Sequence, residues 1–118
     1  MHNQAVGNLG EDLAVDFLKQ KGYVIINRNL KLSYFELDII AQIGSKIAFI
    51  EVKTKATTDE LWDPEDLLTP RKYQAFKKAV QMYCTQNKIA LNDINLELIA
   101  IDLTQDKMAN IKHYTDII

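Results

Sequence analysis

Apolar positions recur at three- and four-residue spacing in two stretches of the chain and at alternate residues in others. From Asn3 to Lys21, Val6, Leu13, Ala14, Phe17 and Leu18 fall at helical spacing, and Gly22 is a plausible stop. "YVIINRNLKL" (23–32) follows as a strand. Residues 35–43 and 46–54 read as two further strands around Gly44-Ser45, a pair suited to a two-residue hairpin turn. "KATTDELWDPEDLL" (55–68) is a polar, acidic loop with five carboxylates between Asp59 and Asp66. Thr69-Pro70 then starts a second helix, with Thr69 as N-cap and Pro70 at the first helical position. It runs to about Asn87, with Tyr73, Phe76, Ala79, Val80, Tyr83 and Cys84 on its inner side. "LELIAIDL" (96–103) is an apolar strand, and 111–114 suits a final edge strand.

The predicted order is α-β-β-β-α-β-β. The first three strands are joined tightly enough to be antiparallel. The hop from strand 46–54 through the second helix to strand 96–103 is a crossover, which favours a parallel pair. The expected fold is α/β, a central mixed sheet flanked by helices. At 118 residues the chain fits a single domain, 1–118, with 47% hydrophobic and 25% charged residues. The lone Cys84 cannot form an internal disulfide, which suits a reducing, cytoplasmic setting. Neither a signal peptide nor a membrane span is visible.

The hairpin 35–54 carries the chemistry. With a two-residue turn, Ile43 faces Lys46, Asp38 faces Glu51 and Glu36 faces Lys53. Side chains alternate between faces. Phe35, Leu37, Ile39, Ala41, Ile43, Ala48, Ile50 and Val52 therefore form one apolar face, expected to be the core. The other face carries Ile40, Ile47 and Phe49 near the turn, then a block made of Asp38, Glu51, Glu36 and Lys53. Two carboxylates directly opposite each other destabilise a strand pair. A neighbouring cation, a shared proton or a bound metal must offset that.

The first helix adds a third acid. At 100° per residue Gly7, Glu11, Ala14 and Leu18 share a narrow arc, whereas Asp12 and Asp16 point away with Lys19. An inward carboxylate needs a partner. Gly7 and Gly10 are poor helix formers, understandable where another chain segment or a ligand comes close. Three acids and a lysine suit a hard divalent cation, Mg²⁺ with Mn²⁺ as alternative, which takes one or two carboxylates plus waters and substrate phosphate. Lys53 could orient an attacking water or neutralise a transition state.

The series Glu11, Asp38, Glu51-Val52-Lys53 resembles the PD-(D/E)XK nuclease superfamily. More closely, "GEDLAVDFLKQKGYVIINRN" (10–29), "ELDIIA" (36–41), "FIEVKTK" (49–55) and "TPRKYQAFKKAVQMY" (69–83) resemble the YraN-like family of uncharacterised predicted endonucleases, which are similar to archaeal Holliday-junction resolvases. The resemblance covers nearly the whole chain. It implies a restriction-endonuclease-like fold, Mg²⁺ on Asp38, Glu51 and the Val52 carbonyl, a catalytic Lys53, and Glu11 as a further acid at the site. It implies action on DNA, with branched or flapped structures as candidate substrates and a homodimer as a possible assembly. Two positions depart from the family pattern. Phe35, after Tyr34, stands where the family usually has Gly, and Lys55 stands where Arg is common, which loses the fork geometry.

Each motif also has a plainer reading. Glu36 and Lys53 could form a cross-strand ion pair worth roughly 0.2–1 kcal/mol. Glu11 could bond a backbone amide or Lys53 instead of a metal. Arg28, Lys31, Lys55 and Lys72 are the candidate DNA contacts, although Arg71, Lys72, Lys77 and Lys78 could equally form a solvated helix face. His2 and His113 lack metal-ligand spacing and are expected at the surface, and Cys84 in the core. Trp62 is expected to cover apolar surface, with base stacking as the sharper alternative. The net charge of −2 counts against strong non-specific nucleic-acid binding and favours the rival reading, a non-catalytic nucleic-acid- or protein-binding module on the same fold.

Overall fold

In the computed structural model, which describes residues 4–56, 68–104 and 110–117, helix α1 spans Gln4–Gln20. It stops at Gly22, whose φ of 95° is a left-handed value that glycine adopts without strain. Strands β1 (Val24–Leu32), β2 (Phe35–Ile43) and β3 (Lys46–Lys55) follow, with Gly44 at φ 60° in the β2–β3 turn. Helix α2 covers Pro70–Asn87 and is capped by Thr69, whose side chain accepts the Lys72 N–H at 3.2 Å. Strands β4 (Ile94–Asp102) and β5 (Asn110–Tyr114) complete the sheet. Trp62 and the acidic stretch 57–67 lie outside the described residues, as does His2.

The sheet order is β1-β2-β3-β4-β5. Neighbours are antiparallel except β3 and β4, which α2 joins as a parallel pair. One helix covers each face. Ala14, Val15 and Leu18 of α1 pack on Ile39, Ala41, Ala48, Ile50, Ile99 and Ile101. Phe76, Ala79, Val80 and Cys84 of α2 pack on Ile40, Phe49 and Leu96 from the opposite side. Cys84 is buried, as its position on the helix implied. Both faces of the sheet are therefore core, where the alternation of the hairpin pointed to one. Among the described residues, no helix is long and apolar enough to cross a membrane.

The hairpin register holds from Ile43–Lys46 to Ile39–Ile50 and ends there. Beyond it three expectations fail. Asp38 and Glu51 are not paired in the ladder. Phe35 and Leu37 do not share a face with Ile39; they join the cluster under α2. Glu36 does not face Lys53; its ladder partner is Lys31 of β1. The cause lies at Asp38. The β1–β2 ladder skips the Asn29–Asp38 position, and Asn29 adopts a left-handed φ of 52°. Asp38 Oδ2 instead accepts the Val52 N–H at 2.9 Å. A side chain thus takes the place of a strand carbonyl. The alternation of β2 breaks, and β2 separates from β3, which stays paired with β4 as far as Lys55.

Candidate active site

The gap beyond Ile39 and Ile50 opens toward both helices. On the α1 side, Val6, Gly7, Glu11, Asp38, Val52, Lys53 and Thr54 line a cavity of about 210 Å³. On the α2 side, Tyr34, Phe35, Glu36, Glu51, Lys53, Lys72, Ala75 and Phe76 line another of about 230 Å³. Lys53 borders both. Although they are not ladder partners, the Asp38 and Glu51 side chains share a hydrogen bond across the gap. That bond needs a proton between two carboxylates. Burial first, then the bond and the repulsion from Asp38, push Glu51 up to about 9, against the opposing pull of Lys53 and Lys72.

Glu11 arrives from α1 because that helix sits very close to β3. Gly10 is buried against Thr54, and a Cβ at this position would overlap the Thr54 Oγ1. Gly7 has open space where its Cβ would be. So only Gly10 is required by packing, and what approaches it is β3. The Glu11 side chain is 13% exposed, against 62% for Asp12. Its Oε1 is buried without a hydrogen bond, 3.7 Å from Arg28 Nη2. Burial and the nearby Asp38 raise the Glu11 pKa, while Arg28 and a hydrogen bond from Asn29 draw it back.

The expected site residues therefore divide into those that meet and those that do not. Asp38, Glu51, Val52 and Lys53 meet at the gap. Glu11 shares a cavity with Asp38 but does not complete a side-chain triad; among the described residues, no group of three or more His, Cys, Asp or Glu is arranged to hold a metal. Arg28 is engaged by Asp12 at 2.7 Å as well as facing Glu11, so it serves the acids of α1 and is not a free contact for phosphate. Lys72 lies on the Glu51 side of the gap, in the first turn of α2. Lys31 is exposed on β1, and Lys55 closes β3 opposite Asp102.

A family model described as uncharacterised protein family UPF0102 matches residues 10–111, from the first helix through the last strand. The chain belongs to the UPF0102 family. This is the YraN family that the motifs resemble. A UPF0102 protein of Syntrophomonas wolfei is 36% identical over 111 residues, covering 94% of this chain and 95% of the relative. One from Flavobacterium johnsoniae is 37% identical over 118 residues, covering 98% and 94%. One from Dictyoglomus thermophilum is 36% identical over 105 residues, covering 89% and 88%.

This UPF0102 chain also holds a buried polar cluster that the sequence reading missed. Glu97 of β4 is fully buried. Its carboxylate accepts the Tyr23 hydroxyl at 2.9 and 3.1 Å and lies 2.7 Å from His113 Nε2. Lys21 Nζ stands 3.2 Å from His113 Nδ1. Burial, followed by the bond to Glu97, pushes the Tyr23 hydroxyl well above its ordinary value. His113 is thus an interior residue, its side chain 3% exposed, and not the surface residue expected. It turns inward because the Glu97 carboxylate could not be buried without donors. One signal was present: Glu97 is a lone acid in an otherwise apolar run, on the same face as Ile99 and Ile101.

Proposed function

We propose that this chain is a metal-dependent endonuclease that hydrolyses DNA phosphodiester bonds at branched or flapped structures. The observation that carries the reading is the Asp38–Glu51 contact beside Lys53, in a gap that the sheet opens by giving up its own pairing. Two carboxylates turned toward each other burden a scaffold with their repulsion, whereas a cation between them would offset it. The donor set fits Mg²⁺, or Mn²⁺ in its place: two carboxylates and the Val52 carbonyl leave room for waters and a phosphate. When bound, the ion supplies positive charge to the phosphodiester and acidity to a water.

The chain's own residues do the rest. Lys53 borders both cavities, so its ammonium can hold a water on one side and a phosphate oxygen on the other. Lys72 brings a second cation to the Glu51 side, beside the N-terminus of α2, where unpaired N–H groups favour an anion. Glu11, steadied by Arg28, keeps a buried acid next to Asp38 and can accept a proton from a water entering the α1-side cavity. Lys31 and Lys55 extend the cationic surface outward. The net charge of −2 favours a second reading, a non-catalytic binding module that keeps the fold.

The deciding experiment incubates the purified protein with labelled single-stranded, duplex, flap and four-way DNA in Mg²⁺, Mn²⁺ or EDTA. Cleavage of flap or four-way DNA is expected in either metal and absent in EDTA, and Asp38→Asn and Lys53→Ala should abolish it. Absence of cleavage under every condition, with Asp38→Asn keeping the parent's thermal response to Mg²⁺, would establish the binding module instead.

A further inference from the structure

The β1–β2 turn carries a side chain with no part in the fold. Ser33 and Tyr34 form the turn, with Ser33 at φ 59°, and Tyr34 is 99% exposed. Turn positions ordinarily hold small or polar residues. A wholly exposed ring at a hairpin tip buries nothing, and its deletion would cost the core nothing. The tip is nevertheless well anchored. Leu32 and Phe35 are ladder partners flanking the turn, and both pack into the cluster beneath α2. The ring is thus presented on a rigid base, with few rotatable bonds to immobilise when something lands on it.

Its position gives it a use. Tyr34 belongs to the same cavity lining as Glu51, Lys53 and Lys72. An aromatic surface beside two cations and an acid pair is the combination that seats a nucleotide: cations for the phosphate, the ring for the base. Resting on the nuclease reading above, we infer that Tyr34 is a stacking platform for an unpaired base next to the scissile phosphate, so that the substrate class is DNA with single-stranded nucleotides at the cut. Inside a duplex both faces of each base are covered by neighbours. Only an unpaired or terminal base can offer a face to Tyr34, and stacking of this kind tolerates any base identity. It also suits an acidic protein. With only Lys53 and Lys72 as cations lining this cavity among the described residues, phosphate attraction is limited and a stacked base supplies the missing affinity.

The test separates this inference from the nuclease reading by measuring binding apart from cleavage. Fluorescence anisotropy in EDTA would compare a labelled 5′-flap, a single strand and a blunt duplex against the parent, Tyr34→Ala, Tyr34→Leu and Tyr34→Phe. Thermal melts should be the same for all four proteins. Tyr34→Ala and Tyr34→Leu should weaken flap and single-strand binding by roughly 5- to 150-fold and leave duplex binding unchanged, while Tyr34→Phe, which keeps the ring, should match the parent. Equal losses on flap and duplex would overturn the inference. So would parent-like flap binding by Tyr34→Ala, and if the parent still cleaves flap DNA in Mg²⁺ the nuclease reading survives that result. A parent that binds none of the three DNAs overturns the inference, and the nuclease reading falls with it only if the parent also cleaves none of them in Mg²⁺ or Mn²⁺.

Discussion

Glu51→Gln should make the protein more stable at neutral pH. Glu51 keeps its proton in the folded state up to about pH 9, whereas an unfolded glutamate loses it near 4.5. Folding is therefore most favoured with respect to this group below about pH 4.5, and the advantage drains away as pH rises through the window to about 9. Within that window the unfolded state binds one proton fewer, so stability falls by up to ~1.4 kcal/mol per pH unit. From pH 5.5 to 7.5 the ceiling is about 2.7 kcal/mol, and with water reaching the half-buried pair a loss of about 1–2 kcal/mol is expected. Glutamine imitates the protonated acid: its amide can donate to Asp38 as the carboxyl does, and it never ionises. Urea unfolding in EDTA at pH 5.5 and 7.5 would measure both proteins. The parent should lose stability between the two pH values and the variant should stay nearly flat, crossing above the parent at pH 7.5. Saturating Mg²⁺ should then stabilise only the parent, by about 2.7 kcal/mol at a hundredfold excess over Kd. Equal pH slopes in the two proteins, or a variant less stable at pH 7.5, would refute the shared-proton picture of the gap.

Gly10→Ala should cost roughly 1–3 kcal/mol by driving α1 off Thr54, whereas Gly7→Ala should be neutral or slightly stabilising; paired thermal melts would check the contrast. Tyr23→Phe removes a hydroxyl donor from the buried Glu97 and should cost about 1.5–3 kcal/mol in denaturant melts without touching DNA cleavage. Lys72→Ala should weaken DNA binding without sequence preference and reduce the salt slope on single strands by about 0.7, which anisotropy titrations at several salt concentrations would measure.

Much of this structure was legible because local spacing carries it. Thr69-Pro70 fixed the start of α2, Gly22 the end of α1, and Gly44-Ser45 the hairpin register as far as Ile39 and Ile50. Glu11 could be placed inward from its helical arc alone. Asp38 could not be placed fully, since alternation assumes that each strand residue simply takes the next face. A carboxylate that reaches into the neighbouring strand for the Val52 N–H breaks that assumption, and the residues before it change sides. Phe35 and Leu37 gave no warning, because an apolar residue fits either face of a sheet covered on both. The Tyr23–Glu97–His113 cluster has no local signature, its members standing 74 and 16 residues apart, and only the topology brings them together. Arg28 looked like a free cation because it stands on β1 while its partners, Asp12 and Glu11, belong to α1.

The Val52 amide proton offers a way to watch the gap directly. It is donated to the Asp38 carboxylate and not to a backbone carbonyl, so its environment depends on the charge that oxygen carries. In an ¹⁵N–¹H spectrum this resonance would move when Glu51 gives up its proton, when a cation draws density from Asp38, or when Asp38→Asn replaces the acceptor. Amides deep within the β3–β4 ladder would stay still through the same titrations. Solvent exchange at Val52 would likewise follow how firmly one side chain holds it, while its neighbours follow the opening of the sheet. One peptide group thus serves as an intrinsic probe of protonation and cation occupancy, readable on the free protein before any substrate has been found.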